Sequence, residues 1–206
     1  ALGSDTGGSI RQPASFNGIV GVKPTYGTVS RYGVVAMASS TDTIGVLSQT
    51  AEDAEIVMDI LSGKDDKDMT TLPDFFEPKA LSTPLKIGVI KEFMTEDVDL
   101  EVRQNVQNYI DAMKAKGHEI EEVSMPMLKY ALAIYYIVVP AEISSNLGRY
   151  DGIRYGERAD AKTLSEVYGV SRDHGFMPEN KRRIMIGSYV LSSGFFDAYY
   201  LQAKKA

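Results

Sequence analysis

One stretch near the middle of the chain leaves few choices of architecture. Leu85–Ile90, LKIGVI, is a short apolar run of strand character. Val102, Val106, Tyr109, Ile110 and Met113 then recur at i, i+4, i+7, i+8 and i+11, which is one face of a helix, and Gly117 stands where that helix should stop. HEIEEVS, starting at His118, alternates as a strand does. Strand, helix and strand in that order make a crossover connection, and a crossover pairs its two strands in parallel. The fold expected from this unit is α/β, a mixed central sheet covered by helices.

The flanking segments supply the other elements. The opening Ala1-Leu2 looks like the end of a strand, and Phe16–Val22, FNGIVGV, reads as a short buried strand. Pro24, Gly27 and Gly33 punctuate a turn-rich stretch, and a further loop is expected after VVAMASS. Thr50 is a good N-cap with Asp53 at the capping-box position. Ala54, Val57, Met58 and Leu61 follow at helical spacing, and Gly63 is a natural stop. The polar, proline-containing segment 63–84 reads as a long surface connection. The remainder is mostly helical. One helix is expected through residues 130–150, bent or broken at Pro140. A second capping box is formed by Thr163 and Glu166, and a final long helix runs from near Pro178 to Tyr200.

Composition removes several function classes. A net charge of −6 disfavours nucleic-acid binding by the chain's own surface, because phosphate neutralisation needs clustered Lys and Arg. The absence of cysteine removes a disulfide framework and a thiol nucleophile. His118 and His174 have no metal-ligand spacing around them and read as surface or satisfied core residues, so no metal site is expected. The longest apolar run, Ala131–Ala141, is too short to span a bilayer and carries a proline, so no membrane association is expected. The chain does not begin with Met and ends on YYLQAKKA, helical by pattern. It is read as residues 1–206 of the middle part of a single domain, truncated at both ends.

The opening GSDTGGS, Gly3 to Ser9, is where chemistry could reside. A phosphate loop of the Walker type needs Lys-Ser or Lys-Thr after the second glycine, and Ile-Arg follows instead. A nucleophile elbow needs Gly-x-Ser-x-Gly, and no glycine follows Ser9 at that spacing. The third reading is an oxyanion hole: successive N–H groups of a Gly-Gly turn can converge on one spot, with a serine hydroxyl beside it. Spacing alone leaves a Gly/Ser turn without chemistry equally open.

GSDTGGSIRQPA closely resembles the signature segment of the amidase signature family, and VGVKPTYGTVSRYGVVAMASSTDTIGVLSQTAEDA resembles its continuation. NLGRYDGIRYG and KRRIMIGSYVLSSGFFDAYY resemble one branch of that family, the A subunits of glutamyl-tRNA(Gln) amidotransferases. The resemblance spans essentially the whole chain. It implies a Ser–cis-Ser–Lys triad with Ser9 as the nucleophile that becomes an acyl ester. The lysine and the second serine lie upstream of the signature in the family, so neither is expected among these residues. It implies Thr6, Gly7 and Gly8 as oxyanion-hole positions, and Ser4, Asp5 and Arg11 as residues bracing the loop. Arg183 aligns with the position gripping the substrate carboxylate, and Tyr135 with a tyrosine lining the glutamine pocket. Read without the resemblance, Arg183 is a solvated helix face and Tyr135 a core residue. The sequence departs from the family at Asn17 and around Pro140.

The implied activity is glutamine hydrolysis, with ammonia passed to a second subunit that amidates ATP-activated Glu-tRNA(Gln). The implied partners are glutamine, the B and C subunits, and tRNA through the B subunit. ATP and magnesium belong to that partner, and no cofactor to this chain. The implied compartment is the cytoplasm. Two alternatives stand beside this reading: a stand-alone amidase of the same family acting on a small amide, and a catalytically incomplete structural fragment.

Overall fold

The first strands gather around a segment that the sequence reading leaves as loop. In the computed structural model, which describes residues 1–73 and 83–206, β1 (Leu2–Asp5), β2 (Val20–Val22) and β3 (Thr43–Ser48) form an antiparallel sheet in the order β1-β3-β2. The middle strand β3 is TIGVLS. Its glycine makes it a weak strand in isolation, but a side chain at Gly45 would lie 2.0 Å from the Val22 carbonyl. Close pairing therefore demands glycine there. Phe16 and Asn17, expected in a strand, instead end the helix α1 (Arg11–Asn17), and only Val20–Val22 is extended. Gly18 accounts for the difference: at φ +63° it takes the left-handed conformation that closes a helix.

Helix α2 (Ala51–Leu61) starts where its capping residue predicts, with the Thr50 side chain accepting from the Asp53 N–H at 3.1 Å. Its inward residues Ala54 and Met58 pack with Val29, Ile44 and Val46. Segment 63–84 is described as far as residue 73 and from residue 83 on. In its first part Asp65 and Asp68 organise the chain, Asp68 accepting from the Arg31 N–H at 2.9 Å. The expectation of a surface connection over 74–82 lies outside the described residues.

The chain divides into two compact units, Ala1–Glu77 with Ala133–Ala206, and Pro78–Leu132. The second unit is the predicted crossover. β4 (Lys86–Ile90) and β5 (Glu119–Val123) pair in parallel from Lys86↔Glu119 to Ile90↔Val123. α3 (Leu100–Ala115) joins them, capped by Asp99 and closed before Gly117 at φ +88°. His118 is satisfied, its Nδ1 accepting from the Leu85 N–H at 3.1 Å.

Helix α4 (Ala131–Leu147) runs through Pro140 without a break. One proline removes a single helical hydrogen bond, and the surrounding Val139, Ala141 and Ile143 are buried. With the turn before it, the stretch Pro126–Leu147 is longer than the apolar run seen in sequence, and by length and composition alone it could cross a bilayer. Within it Val139 and Ile143 pack against Ala38, while Met127, Leu132 and Tyr136 stay exposed. α5 (Leu164–Gly175) begins at the expected Thr163–Glu166 capping box. α6 (Pro178–Val190) stops earlier than expected. Gly194 at φ +113° interrupts the helical course, which resumes as a wide turn over Phe196–Leu201 and then α7 (Gln202–Lys205).

Candidate active site

The turn after β1 is built around one buried carboxylate. Asp5 is 0% exposed. Its Oδ1 accepts from the Gly8 N–H at 2.7 Å, and its Oδ2 from the N–H groups of Ile10 at 3.1 Å and Arg11 at 3.4 Å. The Arg11 guanidinium grips the same carboxylate as a fork, Nε on Oδ2 and Nη2 on Oδ1, both at 3.1 Å. Burial alone would raise the Asp5 pKa. Arg11 and the backbone donors outweigh it and hold the carboxyl at about 2. A side chain charged at neutral pH thus folds residues 5–11 back on themselves.

This arrangement sorts the sequence candidates. Asp5 and Arg11 tie residues 5–11 together through these bonds. Ser4 makes no such side-chain hydrogen bond among the described residues; it sits in β1 opposite Ile44. Gly8 supplies conformation, at φ +127°, while its N–H is held by Asp5. Among the described residues the N–H groups of Thr6, Gly7 and Ser9 have no backbone partner outside the sheet. Ser9 is exposed, and its hydroxyl has no hydrogen-bond partner among the described residues.

Tyr135 rests against this turn, and Arg183 meets Tyr135. A side chain on Gly7 would lie 2.6 Å from Cε2 of Tyr135, so the bare backbone of the turn rests against the tyrosine ring. Arg183 Nη1 donates to the Tyr135 hydroxyl at 3.3 Å, and its Nε donates to Glu179 Oε1 at 2.9 Å. The Glu179 bond, one helical turn back, raises the Arg183 pKa and fixes the guanidinium plane. Nη2 has no hydrogen-bond partner among the described residues, which leaves one arm of the fork for a ligand. Gly7, Tyr135 and Arg183, dispersed in sequence, thus line one surface.

Three supports were not singled out in the sequence. Gly187 lets α6 approach α4: a side chain there would lie 1.9 Å from the Pro140 carbonyl oxygen. Glu179 is visible in retrospect as an acid four residues before an arginine on a helix. Asp42, 3% exposed, accepts from the Thr6 hydroxyl at 2.6 Å; its partner lies 36 residues away, and no local pattern marks it. Among the described residues no group of three or more His, Asp or Glu is placed to hold a metal ion.

The arrangement offers an exposed hydroxyl, unpaired backbone donors beside it, and a cationic fork across an aromatic ring. Together these suit acyl chemistry on a ligand that carries an anionic end.

The family model described as Amidase matches residues 1–206. The chain is 53% identical to the A subunit of the glutamyl-tRNA(Gln) amidotransferase of Sulfurihydrogenibium sp. (strain YO3AOP1), over 100% of this chain and 44% of that protein. It is 54% identical to the protein of the same name from Neisseria meningitidis serogroup A, with the same coverage. The crystal structure of the corresponding Thermotoga maritima protein superposes with a TM-score of 0.72 at 40% identity, covering 100% of this chain and 41% of that one. An amidase crystal structure matches with a TM-score of 0.72 at 27% identity, covering 99% and 39%. The chain spans less than half the length of these relatives.

Proposed function

The chain belongs to the amidase family, and from that premise we propose that it is the nucleophile-bearing part of a glutamine-hydrolysing subunit of a glutamyl-tRNA(Gln) amidotransferase. The observation carrying this reading is the convergence of the Gly7 turn, Tyr135 and Arg183. Glutamine has an amide to be cleaved and, at its other end, a carboxylate. Ser9 Oγ attacks the side-chain amide carbon, and the carbonyl electron pair moves onto oxygen. The N–H groups of Thr6, Gly7 and Ser9 stabilise that oxygen; one such donor is typically worth ~3 kcal/mol in the transition state. Collapse expels ammonia and leaves a γ-glutamyl ester on Ser9, which water releases as glutamate. The free arm of Arg183 and the Tyr135 hydroxyl hold the substrate carboxylate, remote from the reacting carbon.

A serine hydroxyl needs a base. By the family pattern that base is a lysine acting through a second serine, both outside this chain. Ammonia then passes to a partner subunit, which uses ATP and magnesium to activate Glu-tRNA(Gln). The chain's net charge of −6 is consistent with a partner gripping the tRNA.

The test is ammonia release from glutamine by the full-length protein with its partner subunits. Ser9→Ala should lower the rate by about 10⁴-fold or more without changing the fold, as loss of a covalent nucleophile does. Residues 1–206 alone should release none, because general-base help worth ~10²–10⁴-fold is missing. Retention of a tenth of the rate in Ser9→Ala would refute the nucleophile. Ser9-dependent turnover by the isolated chain would place the base within it.

A further inference from the structure

We infer that Asp42 is a positioning residue for the amide-cleaving turn, acting through the hydroxyl of Thr6; this rests on the reading of that turn given above. The two oxygens of Asp42 do different things. Oδ2 accepts the N–H groups of Met37 at 2.8 Å and Ala38 at 3.0 Å, which closes the loop just before β3. That alone would satisfy a loop-capping role. Oδ1 instead reaches the Thr6 hydroxyl at 2.6 Å, 36 residues back in the chain. Burying a carboxylate at 3% exposure is costly unless its bonds are needed, and the bond it makes here falls on the residue beside Gly7.

The position of that bond matters because of the glycines. Gly7 and Gly8 have no side chains to restrict them, so the peptides that present the free N–H groups must be fixed from their two ends. Asp5 fixes the downstream end through Gly8, Ile10 and Arg11. Thr6 is the upstream end, and Asp42 is its anchor. The anchor is in turn tied to the helix that carries Tyr135. Asn146 Nδ2 donates to the Met37 carbonyl at 3.1 Å, and the Ser40 N–H donates to Glu142 at 3.0 Å. Ala38, at 0% exposure, packs on Val139 and Ile143. Asp42 therefore sets where the turn stands relative to the wall that binds the substrate carboxylate.

The experiment is steady-state glutamine hydrolysis by the full-length protein with its partners. Thr6→Val keeps the shape and removes the hydroxyl. It should lower kcat by about 10- to 100-fold, the cost of misplacing oxyanion donors. KM should stay within about twofold, since Arg183 is untouched. Thr6→Ser should recover most of the loss. Asp42→Asn should lower kcat similarly and add little to Thr6→Val in the double variant, as expected when two residues act through one bond. If Asp42→Asn does not fold, the Thr6→Val and Thr6→Ser pair decides. An unchanged kcat in Thr6→Val, a loss that Thr6→Ser does not recover, or fully additive losses would overturn the inference. Ser9→Ala run alongside separates the two claims. If it abolishes turnover while Thr6→Val is silent, only the role of Asp42 fails. If it retains turnover, the reading of the turn fails and the inference falls with it.

Discussion

The two sides of the candidate site are held together in opposite ways. The turn from Asp5 to Arg11 is made largely by contacts within a few residues: Asp5 gathers N–H groups three, five and six positions on, and Arg11 returns to the same carboxylate, while Thr6 adds one bond to the distant Asp42. The Tyr135–Arg183 wall is made by contact across 48 residues, with two helices brought together by the absence of a side chain at Gly187. The turn is thus a charged, buried knot. The wall is a packed crossing whose working groups stay partly open to solvent. In the proposed chemistry the turn needs fixed geometry at the reacting carbon, and the wall needs only to admit and hold a remote carboxylate.

Breaking the knot should have the largest effect. Asp5→Ala leaves buried N–H groups and Arg11 without their acceptor, and should cost about 3 kcal/mol of stability. In the full-length protein glutamine hydrolysis should be lost even at temperatures where the fold survives. Thermal denaturation read alongside activity checks this, and an Asp5→Ala protein of normal activity would remove the carboxylate from the account.

Breaking the crossing should come next. Gly187→Ala drives a methyl group into the Pro140 carbonyl and should cost about 2–3 kcal/mol, as overpacking does. Because the clash moves α6 and Arg183 but not the turn, KM for glutamine should rise more than kcat falls. Equal losses in both would mean the two sides are not separable.

The pH dependence sharpens the same contrast. The Asp5 carboxyl is held at about 2, against an ordinary value of 3.8. A lowered folded-state pKa stabilises the native state by about 2 kcal/mol at neutral pH. That contribution is fully present above about pH 4 and is lost as pH falls toward 2. Acid unfolding of Asp5→Asn should therefore be shallower than that of the parent over this window. Identical slopes would show that the carboxylate titrates normally.

The smallest effect expected is that of Arg183→Lys, which keeps the charge and loses the fork. KM for glutamine should rise about tenfold with kcat within about threefold, because a remote contact contributes mostly uniform binding. An unchanged KM would make Arg183 a surface residue.

The same contrast explains what could be read from the residues alone. The crossover β4-α3-β5 was legible because its hydrophobic periods and its closing glycine are local signals. The Thr50 and Thr163 caps were legible for the same reason. The Gly3–Ser9 segment stood out as a spacing that left its chemistry open, and it was the family resemblance that named Asp5 and Arg11. The strand β3 was hidden, because its glycine looks wrong for a strand until Val22 lies against it. Gly187 and Asp42 were hidden too: each acts on a residue tens of positions away, and no local pattern marks such a partner. The end of α1 at Asn17 depended on Gly18 adopting a positive φ, which a reading of apolar runs alone does not weigh.

The central claim is that Ser9 and the Tyr135–Arg183 wall serve one glutamine-shaped ligand. It is tested most directly by covalent labelling of the full-length protein with a glutamine analogue that carries an electrophile in place of the side-chain amide. Peptide mapping by mass spectrometry should place the label on Ser9. Free glutamine should protect against it, and Arg183→Lys should slow the labelling without moving its site. A label on another residue, or labelling of Ser9 that neither glutamine nor Arg183→Lys affects, would contradict the account.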